Sequence, residues 1–82
     1  MHDLQRTIRV TFESATNMGY VYLAPIAEGG VAHTEPLAIQ TASGLRLINL
    51  DFDRAGALVG IEFDGARDAM PHALIGNARP EP

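Results

Sequence analysis

The segment from Leu45 to Asp64 constrains this chain more than any other part of it. "LRLINLDFD" and "LVGIEFD" both alternate apolar and polar residues, with Arg54–Ala57 between them. Folded about Ala55 and Gly56, the two place Phe52 against Val59, Leu50 against Ile61 and Ile48 against Phe63 on one face. On the other face Asn49 meets Glu62, Asp51 meets Gly60 and Asp53 meets Leu58. Successive strand side chains point to opposite faces, so a slip of one residue sets Leu50 against Gly60 and mixes the two faces. The pattern selects one hairpin register. It also carries a conflict: a two-residue turn wants positive φ at both central residues, which Ala55 resists. A longer loop or a bulge at Gly56 would relieve it.

The same stretch imitates a calcium loop. Asp51 to Glu62 has Asp first and third, Gly sixth and Glu twelfth, as an EF-hand does. An EF-hand needs a helix on each side of the loop. "LRLINL" before it has period two, and "FDGARDAMP" after it carries Gly65 and Pro71. Ala55 at the fifth position offers no side-chain oxygen. The spacing is read as a hairpin with solvated carboxylates, because a motif without its structural context is discounted.

Other strands follow by the same rule. "TIRVTFE" (7–13) alternates Ile8, Val10 and Phe12 with polar residues, and the turn formers "SATN" follow. "MGYVYLAPI" (18–26) is a second strand, with Val21 and Leu23 on one face and Tyr20 and Tyr22 on the other. After the "EGG" turn comes a weaker strand over 31–39. Pro36 has no N–H to give a ladder, which assigns that strand to an edge or breaks it. "TASG" is the next turn. Beyond Gly65, "ARDAMPHALI" holds one or two helical turns, with Pro71 opening the turn that contains Leu74 and Ile75. "GNARPEP" has nothing to bury and reads as a loose tail. The expected fold class is α+β: a small antiparallel β-meander of four to five strands with a short C-terminal helix on one face. Residues 1–82 form a single small domain, with an ordered core over about 7–75 and the tail over 76–82.

A chain of 82 residues has a thin core, which an oligomer would reinforce. Its net charge of −4 argues against a nucleic-acid binder. The absence of cysteine removes disulfide scaffolds and cysteine-based zinc sites. No apolar run approaches the ~20 residues of a membrane span, and "MHDLQRTIRV" lacks a secretory h-region. The expectation is a cytoplasmic protein without membrane partners.

Few residues offer chemistry. His2, His33 and His72 have no ligand at zinc spacing, and no phosphate-binding glycine loop is present. Ser14 and Ser43 lie in turns with no base in view. His33 and Glu35 fall on one face of their strand, so they could meet. Asn49, Asp51 and Glu62 cluster on the outward face of the hairpin, where two close carboxylates would form an acid–base pair if buried. Both groups read more simply as a wet sheet surface. Met18, Tyr20 and Tyr22 line one face of the second strand. Two readings stand for them: core beneath the helix, or, if the helix covers the opposite face, a surface covered by a second subunit.

"INLDFDRAGALVGIEFDGA" resembles the ending shared by small bacterial proteins of the domain of unknown function 2283 family, where an Asp-Gly turn leads into a "VGIEI" strand. "FESATNMGYVYL" is similar to that family's opening and "GGVAHTEPL" to its middle segment, so the resemblance runs from about Phe12 to Ile75. Ala55 stands where the family often has Asp, and Gly19 where an apolar residue is usual. The resemblance implies a small sheet with a C-terminal helix. It implies no reaction, and no cofactor is expected. It also implies a partner, since such proteins are often encoded beside small toxin-like proteins. The leading expectation is a non-catalytic, self-associating protein-interaction module, a homodimer, for which the resemblance implies a role in neutralising a toxin-like protein. The alternative is a small ligand-binding or hydrolytic protein using His33, Glu35, Asp51 and Glu62.

Overall fold

The computed structural model describes residues 8–76 and 78–80. Five antiparallel strands form the sheet: β1 (Arg9–Glu13), β2 (Met18–Tyr22), β3 (His33–Thr41), β4 (Gly44–Phe52) and β5 (Leu58–Asp64). Two short helices follow, α1 (Ala66–Ala69) and α2 (His72–Gly76). A two-residue strand, β6 (Arg79–Pro80), then runs parallel to β1 at the sheet's edge, where the sequence pointed to a loose tail. His2, Thr7 and the tail residues Asn77, Glu81 and Pro82 lie outside the described residues. No helix among the described residues is long and apolar enough to cross a membrane.

The spatial order is β3-β4-β5-β2-β1-β6. Neighbours follow the chain in β1–β2 and β3–β4–β5, but β2 pairs with β5 and not with β3. The connection from Leu23 to Ala32, with Pro25 and a turn at Glu28–Gly29, is too long for a tight hairpin. Docking β2 on β5 sets the apolar Val21 beside Ile61 near the centre. It also leaves β3, which carries Pro36, at the edge. Thr41 and Gly44 close a two-residue loop and so form a mutually bonded pair. Counting back by twos, Pro36 opposite Asn49 falls on a pair whose backbone groups point away from each other. Its missing N–H therefore faces the open edge and breaks no bond.

The register expected for β4 and β5 holds along most of the hairpin: Ile48–Phe63, Asn49–Glu62, Leu50–Ile61 and Asp51–Gly60 are partners. Nearer the turn it changes, and Phe52 faces Leu58 instead of Val59. The loop holds three residues, Arg54 to Gly56. Asp53 N–H donates to Ala57 O at 2.9 Å, and Gly56 N–H to Asp53 O at 3.0 Å. Only Gly56 takes positive φ, at 88°, so Ala55 escapes the strain a two-residue turn would impose. The longer loop shifts the pairing by one residue, and Val59, an extra residue in β5, restores it.

Directly opposed residues share a face. The helix face carries Val10, Phe12, Gly19, Val21, Leu50, Ile61 and Phe63; the tyrosine face carries Thr11, Tyr20, Tyr22, Asn49, Asp51, Gly60 and Glu62. Helix α1 settles which face is covered. A Cβ on Gly19 would collide with Met70 Sδ and lie 3.0 Å from Ala66 Cβ, so the glycine admits the helix against the strand. Asn17 anchors the helix. Its backbone oxygen accepts the Ala66 N–H, and its side-chain Oδ1 accepts the Arg67 N–H, both at 2.9 Å. These satisfy two donors that a helix start leaves open. Asn17 does this from the left-handed region, φ 57°, which asparagine tolerates better than most side chains.

The core is thin and lies to one side. Among the described residues the buried apolar side chains are Val59, Ala66 and Met70, and no large side chain is fully buried. Every residue of β3 is exposed.

Candidate functional site

The tyrosine face holds a chain of polar contacts across four strands. Tyr20 leaves β2 and lies across β5 at Gly60, where an added Cβ would collide with its hydroxyl oxygen. Beyond β5 the Tyr20 hydroxyl donates to Asp51 Oδ2 on β4 at 2.5 Å. Asp51 Oδ1 accepts from the Thr34 hydroxyl of β3 at 2.6 Å. Beside it Asn49 Nδ2 donates to Glu62 Oε1 at 2.8 Å. Toward β1, the Tyr20 and Tyr22 rings lie 4.6 Å apart, and the Arg9 guanidinium sits 3.9 Å from the centre of the Tyr22 ring. That last contact is a cation–π pair.

This arrangement ties strands together. Burial, and then the hydrogen bond to Asp51, hold the Tyr20 phenol well above its ordinary range. Its hydroxyl stays protonated at neutral pH and acts as a donor. Both Asp51 oxygens are engaged by donors, and Glu62 is oriented by Asn49. A general base needs reach to a substrate proton, and Asp51 is spent on its neighbours.

His33 and Glu35 do meet, Nε2 to Oε1 at 3.0 Å, on the helix face of β3. Their side chains are 63% and 52% exposed, so the pair contributes little to stability. The alternative set is thereby divided: His33 and Glu35 share the face of Leu50 and Phe52, while Asp51 and Glu62 point the opposite way. No group of three or more His, Asp or Glu among the described residues is placed to hold a metal. The Asp51–Glu62 stretch is a hairpin, which spreads its carboxylates along two strands.

Two clefts open on the tyrosine face. One, of about 210 Å³, is lined by Thr11, Glu13, Met18, Tyr20, Tyr22 and Glu62. Thr11 beside it is buried, and its hydroxyl has no hydrogen-bond partner. The other, of about 320 Å³, lies over the β3–β4 hairpin, between Met18 and Asp64 on one side and Pro36, Ala38 and Leu47 on the other. Of the three strand-two candidates, Met18 thus borders the hairpin cleft, while Tyr20 and Tyr22 belong to the polar chain.

Reading the sequence alone missed a set of exposed apolar residues on the outer hairpin. Leu37 and Ile39 on the helix face, and Leu45 and Leu47 on the tyrosine face, are 36–55% exposed. The outer part of the β3–β4 hairpin is a wing with apolar residues on both sides. A signal was available: "PLAIQ" and "GLRLI" keep apolar residues at consecutive or alternate positions on an expected edge strand and its neighbour. Thr34 and Arg9 were also missed, since their partners come from other strands. No family model, curated protein or solved structure matches the chain.

Proposed function

We propose that this protein is a non-catalytic protein-interaction module that associates with itself and with a protein partner. The carrying observation is the wing: Leu37, Ile39, Leu45 and Leu47 stand exposed in a chain that buries almost no large apolar side chain. Exposed apolar patches mark association surfaces, and each face of the wing carries a pair of these residues. The helix lies on the face opposite the tyrosines, which removes it as a cover for the tyrosine side of the wing. The polar clusters give no competing chemistry, because their members are paired with one another or divided between faces.

The resemblance to the domain of unknown function 2283 family adds a candidate for the partner, a small toxin-like protein that this chain would neutralise. Light scattering of the purified chain, combined with capture of binding proteins from its own cell extract, tests the reading. The expected outcome is a mass above one chain and a specifically retained partner. A strict monomer that retains nothing removes the support.

The ligand-binding alternative keeps one specific observation, the cleft beside the unpartnered Thr11 hydroxyl. A melting-temperature panel across metals and metabolites tests it, since a bound ligand raises the midpoint by mass action. A flat panel counts against it.

A further inference from the structure

We propose that a second copy of this chain covers the tyrosine face of the wing, each copy's Leu45 entering the other's cleft between Met18 and Leu47. This rests on the reading of the protein as an interaction module and names one partner and one surface.

Exposure is the first support. Leu45 and Leu47, both on the tyrosine face of the wing, are 55% and 45% exposed, more than any other large apolar side chain in a strand among the described residues. Leu37 and Ile39 on the opposite face are less exposed, at 36% and 44%.

Shape agrees with exposure. The knob and the cleft lie on the same face of the same hairpin. Leu45 is 55% exposed near the tip, and the cleft opens over Ala38 and Leu47 toward Met18. A two-fold interface requires a patch that complements itself, with each contact made twice. A knob and a cleft side by side meet that requirement.

Charge selects the face. Between Pro36 and Leu50 the only charged residue is Arg46. It pairs with Ile39 and therefore lies on the helix face. Two tyrosine faces approach without opposing like charges across the wing, apart from Asp64 at the cleft's border. Two helix faces would bring Arg46 toward its own copy, which disfavours that arrangement. Edge pairing of β3 with a second β3 is disfavoured too, because Pro36 presents no N–H to the open side.

Sedimentation velocity of the full chain across a dilution series, with Leu45→Glu, Leu45→Ala and Ile39→Glu variants, tests the proposal. Circular dichroism confirms that each variant is folded. The native chain is expected at twice 8.8 kDa. Leu45→Ala should weaken the dimer at least about 30-fold, as loss of an interface hot spot does. Leu45→Glu should give monomer throughout, and Ile39→Glu should remain dimeric. A dimer kept by Leu45→Glu, or lost in Ile39→Glu, overturns the assignment to this face while self-association stands. A native chain monomeric at every concentration overturns the proposal altogether, and only a further failure to retain any partner protein would remove the broader reading.

Discussion

Two halves of one sheet are bonded alike and buried differently. In the body, β1, β2 and β5 lie beneath α1 and α2, and the buried residues Thr11, Gly19, Val59, Gly60, Ala66 and Met70 all belong to this half. In the wing, β3 pairs with β4 over nine residues without interruption, yet each residue of β3 remains exposed. Ladder hydrogen bonds largely replace bonds to water and contribute about 0.5–1.5 kcal/mol each. Removal of apolar surface from water stabilises a fold more. The wing therefore has a defined shape without a core of its own, and the body supplies the core for both.

The contrast can be broken by paired truncations. Met70→Ala should cost about 2–5 kcal/mol, the usual range for a buried large-to-small change, whereas Leu37→Ala should cost under about 1 kcal/mol in dilute protein. Urea denaturation at low concentration measures both. Equal losses would mean that the wing is as well covered as the body. Gly60→Ala comes next, at about 1–3 kcal/mol, because the new methyl displaces the Tyr20 ring from its path across β5. Loss of the tyrosine near-ultraviolet dichroism should accompany it. Smaller and opposite in sign is Thr11→Val, expected to stabilise by about 1 kcal/mol, since it removes a buried hydroxyl without a partner at nearly constant volume. A destabilised Thr11→Val would show that the hydroxyl is engaged in solution.

The smallest effect is alkaline. Tyr20 titrates higher folded than unfolded, so its contribution is fully present below the ordinary phenol value of about 10 and falls as pH rises toward the folded value. Melting midpoints measured from pH 8 to 11 should decline less steeply in Tyr20→Phe than in the native chain. Parallel declines would remove Tyr20 from the alkaline response.

How much of this was legible follows from the range of each interaction. Alternation is local, so the strands of the body and the far part of the β4–β5 register could be read directly. Pro36 placed its strand at the edge for a reason that needs no partner. What the sequence hid was long-range choice: that β2 docks on β5, and that Tyr20 reaches over Gly60 to Asp51, thirty-one residues away. The space opposite Asp51 was visible, but its occupant was not. Gly19, noted only as a departure from the resembling family, was the clue to the helix, because a glycine on the apolar side of an alternating strand marks close approach by something else, here Met70 and Ala66. The β6 pairing has no pattern to read, since two residues carry no periodicity.

The three-residue loop at Arg54–Gly56 lies beyond the Asp53–Ala57 closure, and Val59 is the unpaired residue between Leu58 and Gly60. Losing a loop residue would tighten the turn, and losing Val59 would flatten the bulge. In either case Asp51 can stay opposite Gly60 and Leu50 opposite Ile61. Changes of length in this segment are thus absorbed at the hairpin tip, and the greasy and wet sides of the sheet keep their residues.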